Sequence, residues 1–146
     1  MTNPANNPAP AAYEYTLTRD LDAPVEKVWA AWTQPEHYAE WSGAVLPSIS
    51  FDVRPGGAWR ATMAIPDGSE FPMTGTYGEV VENRRLETLM DLPGGATSSM
   101  VMDLTDLDGK TRIVLSQACA TAEERDQSEE GSGMLLDWLA AYVPKI

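Results

Sequence analysis

Arg54-Pro55-Gly56-Gly57 stands between two strand-like runs, Ile49 to Val53 and Ala58 to Ile65. Proline pre-sets the first backbone dihedral of a tight turn, and a glycine after it reaches the positive φ that other residues avoid. Beyond the turn, Trp59, Ala61 and Met63 alternate with Arg60 and Thr62, so the second run has one apolar face and one polar face. The stretch reads as a β-hairpin with a buried side.

Toward the N-terminus, Tyr13 to Leu21 alternates Tyr, Tyr and Leu against Glu, Thr and Thr, the period of a half-buried strand. Pro24 suits the first turn of a helix, and Val25, Val28, Trp29 and Trp32 recur at helical spacing, which predicts a helix from Pro24 to Thr33. Pro35 opens a second, shorter helix over Glu36 to Trp41 that Ser42-Gly43 ends. Two short helices therefore follow the first strand.

Toward the C-terminus, Pro66-Asp67-Gly68 predicts a turn, and Met73 to Val81 pairs with Leu86 to Asp91 across Glu82-Asn83-Arg84-Arg85. Pro93-Gly94-Gly95 precedes a strand at Ser98 to Leu104, and Asp108-Gly109 is a hairpin turn into Thr111 to Cys119. The period then becomes helical. Thr121 is the expected N-cap, with Glu123 and Glu124 in a first turn where the helix dipole favours negative charge. Leu135, Trp138, Leu139 and Tyr142 form the expected buried stripe, Gly131 and Gly133 mark a candidate interruption, and Pro144 ends the helix.

One strand, two short helices, six antiparallel strands and a long terminal helix make an α+β chain whose curved sheet must wrap the last helix to bury its face. Ala23-Pro24-Val25-Glu26-Lys27-Val28-Trp29, Pro35-Glu36 with Trp41, and Arg54-Pro55-Gly56-Gly57 occur in the order seen in the START-like, helix-grip (SRPBCC) superfamily. The chain resembles the branch related to the C-terminal domain of the activator of Hsp90 ATPase. That resemblance covers residues 13 to 143 and implies an apolar cavity between a sheet of about seven strands and the terminal helix. The chain departs from it at one point. Relatives commonly carry Gly-Trp at the start of the last apolar helical stretch, where this chain has Gly131-Ser132 and Gly133-Met134. A smaller residue there enlarges or reshapes the cavity, unless Trp138 fills the same space.

A chain of 146 residues suits one domain, here 13–146, behind an N-terminal segment, 1–12, that reads as a disordered tail and not as a secretory signal. The apolar fraction of 43% without a bilayer-length apolar run predicts a soluble protein that does not insert into membranes. A net charge of −12 is the opposite of the basic footprint that nucleic acids and anionic membranes require, so neither is an expected partner. Cys119 is the single cysteine and His37 the single histidine, so no intrachain disulfide forms, a Cys/His metal site lacks ligands, and a cytoplasmic location fits. No cofactor fingerprint occurs, because Gly56-Gly57 joins two strands instead of a strand and a helix. The open edges of the sheet allow a homodimer.

Alternation and the resemblance together nominate Trp41, Trp59, Met63, Met73, Tyr77, Met90, Met100, Met102, Leu115, Gln117, Leu135 and Trp138 as the ligand-binding lining. Methionine thioethers adapt to irregular outlines, which suits an apolar ligand; the competing reading is a solid core. Among groups able to move protons, His37 is the first candidate base, and Glu79, Asp103 and Gln117 are polar positions within strands. Alternation turns Glu79 and Gln117 inward with Tyr77 and Leu115. Cys119 has no basic neighbour and reads as an inert buried thiol. Three functions follow: a binder of a hydrophobic small molecule, a cyclase- or lyase-type enzyme working in the same cavity, and an Hsp90 co-chaperone-like interaction domain.

Overall fold

A computed structural model of the chain describes residues 13–146 apart from 65–67, 92, 96 and 120; the expected tail over 1–12 and the turn at Pro66-Asp67 lie outside the described residues. The elements run β1 (Tyr13–Leu21), α1 (Val25–Thr33), α2 (Pro35–Ser42), β2 (Ser50–Phe51), β3 (Ala58–Ala64), β4 (Glu70–Val81), β5 (Arg85–Asp91), β6 (Thr97–Asp106), β7 (Thr111–Cys119) and α3 (Ala122–Tyr142). All seven strands form one antiparallel sheet in the order β1-β7-β6-β5-β4-β3-β2. Every neighbour except the β1–β7 pair is also adjacent in sequence, so the sheet is a meander closed by its first strand. α3 lies across the concave face against β1 and β7, and α2 packs on α3. This is the helix-grip arrangement.

The Pro-Gly-Gly turn does more than join β2 to β3. Gly56 takes φ +79°, its N–H donates to the Tyr77 carbonyl at 2.8 Å, and the Tyr77 N–H donates to the Gly57 carbonyl at 2.9 Å. Gly57 has an ordinary φ but no room for a side chain, since a Cβ would sit 2.0 Å from the Asp52 carbonyl oxygen. Because the turn reaches over to β4, β2 is shortened to Ser50–Phe51 in place of the expected Ile49–Val53. Beyond Phe51 the Asp52 N–H still donates to the Ala58 carbonyl at 3.0 Å, while the Asp52 carbonyl accepts the Arg54 N–H at 2.9 Å within the turn.

A β-bulge corrects the alternation read for β4. Tyr77 pairs with Thr88 but Val80 pairs with Leu86, so Gly78 and Glu79 together face Glu87. The extra residue returns Val80 to the core and turns Glu79 outward. Glu87 Oε1 accepts the free Glu79 N–H at 3.1 Å, and Gly78 leaves room for that carboxylate, which a Cβ would approach to 2.2 Å.

α3 runs unbroken through Gly131 and Gly133, with Thr121 Oγ1 accepting the Glu124 N–H at 3.0 Å as its N-cap. Ser132, Leu136, Leu139 and the following Val143 face the sheet. Their spacing of four, three and four residues sets the inward direction, and Trp138, rotated about 100° from Leu139, is left 43% exposed. The expected stripe was therefore out of phase at Trp138. Below α3, Leu17, Leu115, Met102, Leu86 and Val80 are successive cross-strand partners in a closed core layer; α1 contributes Val28, Trp29 and Trp32 to the same core.

Candidate functional site

A cavity of about 450 Å³ lies between the sheet and α3, within the range of roughly 300 to 1,000 Å³ usual for small-molecule sites. Two cross-strand rows make its floor. One runs Tyr77, Thr88, Met100, Gln117 and the other Gly75, Met90, Ser98, each residue paired with the next. Trp59 pairs with Gly75, and its indole lies across the glycine, with Nε1 donating to the Thr76 and Leu89 carbonyls at 3.2 and 3.1 Å. An aromatic ring thus covers the gap that the missing side chain leaves.

Further along the same strands, Ala61, Met63, Phe71 and Met73 line one wall, and Ser128, Gly131, Ser132 and Leu135 of α3 form the roof. Trp32, Tyr38 and Phe51 close an aromatic end, where Tyr38 stands edge-on to Phe51 with ring centres 5.3 Å apart. Four methionines, Met63, Met73, Met90 and Met100, belong to this lining, so much of its surface can repack around different outlines.

Of the nominated residues, Trp59, Met63, Met73, Tyr77, Met90, Met100, Gln117 and Leu135 are brought together around the cavity. Met102 and Leu115 face the same side but sit one row further along, in the closed core layer, at 1% and 0% exposure. Trp41 is buried behind the lining, tilted against Trp32 and edge-on to Tyr38, with its indole N–H donating to the Ala31 carbonyl at 2.8 Å. Trp138 points away on the exposed side of α3 and does not fill the space beside Ser132. Sequence reasoning missed Trp32, Tyr38, Phe51, Phe71, Thr88, Ser98 and Ser128. Alternation pointed to Phe71, Thr88 and Ser98, which share the inward parity of residues already nominated on their strands.

The polar groups of the cavity form a chain at the β7 side. Tyr15 Oη donates to Gln117 Oε1 and lies 2.8 Å from Ser132 Oγ, while Gln117 Nε2 donates to Ser98 Oγ at 2.9 Å. These groups satisfy one another, as buried polar atoms must. No Asp, Glu, His, Lys, Arg or Cys is among the described lining residues. His37 instead ties α2 to α3, its Nδ1 2.7 Å from Tyr142 Oη. Glu79 and Asp103 both bind Arg85 on the outer face, at 2.9 and 2.6 Å. Cys119 is buried, and that burial pushes its thiol above the ordinary value. Among the described residues no group of three or more His, Cys, Asp or Glu is placed to hold a metal, and no helix is long and apolar enough to cross a membrane.

Burial pushes the Tyr38 phenol up to about 12 and raises Tyr77 as well, so both cavity phenols carry their protons at neutral pH. A group whose folded-state pKa is raised contributes stability that is fully present below its unfolded value of 10.0 and is lost as pH rises through the folded value. In a titration followed by tyrosinate absorbance, Tyr38 and Tyr77 are expected to ionise well beyond pH 10, together with loss of the native circular dichroism. Ionisation of Tyr38 and Tyr77 near pH 10 in a still-folded protein would show that the two phenols are not sequestered.

The sequence pattern of the family described as activator of Hsp90 ATPase homolog 1-like protein matches residues 22–144, and the chain belongs to that family. Protein NE0264 from Nitrosomonas europaea is 28% identical, with 93% of this chain and 97% of that one covered and a TM-score of 0.76. Protein CV1439 from Chromobacterium violaceum is 26% identical over 90% of this chain and 97% of that one, with a TM-score of 0.78. DynU16, from the dynemicin biosynthetic locus, shares the fold at 23% identity, covering 91% of this chain and 48% of that one with a TM-score of 0.76. A search of curated proteins finds no match to the chain.

Proposed function

We propose that the chain binds a neutral, largely apolar small molecule in the cavity between the sheet and α3, as a carrier or sequestering protein. The observation that carries this reading is the lining itself: aromatic rings and methionines around about 450 Å³, with no charged side chain among its described residues. Without a cation in the wall, a ligand carboxylate would lose its hydration for no partner, which disfavours anionic lipids. A cyclase or lyase needs a positioned proton donor or acceptor. The four candidates do not converge, since His37, Glu79 and Asp103 lie outside the lining and Gln117 carries an amide that moves no proton near neutrality. That favours binding over catalysis.

Two measurements test the proposal. Mass spectrometry of an organic extract of the natively purified protein is expected to show a co-purifying neutral molecule, and a solvatochromic apolar dye is expected to bind at one site and be displaced by that extract. A protein that binds no apolar probe at micromolar concentration would overturn the reading.

A further inference from the structure

Tyr77 is 5% exposed and lines the cavity, yet its phenol oxygen has no hydrogen-bond partner among the described residues. Four other polar side chains nearby are answered: Tyr15 by Gln117 and Ser132, Gln117 by Ser98, Trp59 by two backbone carbonyls and Trp41 by a third. Native interiors rarely leave such a group alone, because an unmet buried donor costs about 1–3 kcal/mol. Its cross-strand neighbour Thr88 adds a second hydroxyl on the same floor row.

The phenol is also held in place from behind. Both backbone polar groups of Tyr77 are bonded to the Pro-Gly-Gly turn, through the Gly56 N–H and the Gly57 carbonyl, so the strand cannot slide or rotate at this point. A donor fixed before binding loses little freedom when it is used. With burial raising its pKa, the phenol stays a donor across the physiological range.

We infer that Tyr77 Oη is the specificity-determining donor of the cavity, and that the occupant is a neutral aromatic molecule carrying a carbonyl-type oxygen that accepts this hydrogen bond. The aromatic frame follows from the rings that share the lining with the phenol, Trp32, Tyr38, Phe51 and Trp59, which favour edge-on and offset contacts with a flat partner. A carboxylate in place of the ketone is disfavoured, since no cation among the described lining residues accompanies the donor. This inference rests on the binding reading above and deepens it.

Three naphthalenes separate the two claims: 2-acetylnaphthalene, its acceptor-free counterpart 2-isopropylnaphthalene, and the anion 2-naphthoate, each titrated by quenching of tryptophan fluorescence. Tyr77→Phe is expected to weaken 2-acetylnaphthalene about tenfold while leaving 2-isopropylnaphthalene within about twofold, the loss of one buried hydrogen bond. 2-Naphthoate is expected to bind the native protein more weakly than the ketone. The infrared carbonyl stretch of bound, isotope-labelled ketone should lie below its value in hexane in the native protein, a readout that does not depend on the variant folding. Equal effects of Tyr77→Phe on both neutral probes, or an unshifted carbonyl stretch, would overturn the inference and leave the binding reading standing. Failure of all three probes to bind would overturn both.

Discussion

Gly75→Ala is expected to lower the stability of the protein by about 3 kcal/mol, at the upper end of what forced overpacking usually costs. A Cβ at this position would lie 1.8 Å from the Leu89 carbonyl oxygen and 2.7 Å from Trp59 Nε1. Neither neighbour can give way cheaply. Leu89 belongs to β5, in the middle of the sheet, and its carbonyl accepts the Trp59 indole N–H, so any displacement loses a buried hydrogen bond as well as ladder geometry. Urea denaturation should show a lower midpoint with an unchanged slope. Gly131→Ala is the matched control. There a new Cβ meets nothing within 4 Å and the residue is inside a helix, so a gain of up to about 1 kcal/mol is expected from helix propensity. If the two variants proved equally stable, the account of Trp59 lying over Gly75 would fail.

Ser132→Trp is expected to abolish ligand binding, weakening 2-acetylnaphthalene by about a hundredfold or more. Ser132 is buried and lines the roof of the cavity. An indole grown from this point enters the space a ligand would occupy. Its effect on stability is small because two terms oppose: the bond to Tyr15 is lost, about 1 kcal/mol, while a large apolar side chain is buried, about 1.5 to 3 kcal/mol. The melting temperature should therefore hold or rise while binding disappears. Ser132→Ala separates the terms, with a stability loss of about 1 kcal/mol and probe affinity nearly unchanged. Retained binding in a folded Ser132→Trp protein would locate the ligand somewhere other than under this roof.

How much of this was legible beforehand depended on how local each cause was. The Pro-Gly-Gly turn, the Thr121 cap and the alternation of β3, β6 and β7 each rest on a few consecutive residues, and the elements formed where those residues are. Errors arose where a partner far along the chain decides the outcome. Parity turns Glu79 inward, but Glu87 on the next strand captures its amide and a bulge reverses the parity. Helical spacing puts Trp138 in one stripe with Leu135 and Leu139. The buried direction of α3 runs instead through Leu136 and Leu139 to Ser132, a small polar residue that no hydrophobic pattern marks and that the tertiary fold buries against Tyr15.

The same distinction separates lining from core. Met90, Met102 and Leu115 have the same inward parity on three neighbouring strands, yet Met90 borders a cavity while Met102 and Leu115 are sealed in the layer beside it. Parity reports which face of the sheet a residue occupies; it carries no information on whether a helix above closes the gap. The amino-acid sequence by itself determined the family, the α+β order of elements, the curved meander and the apolar face that seeks cover. Only the tertiary structure decided where that cover is incomplete and which polar group is left facing the gap, since both depend on how distant segments meet. Tyr77, paired through its backbone to Gly56 and Gly57 and without a phenol partner among the described residues, is where the two kinds of information join.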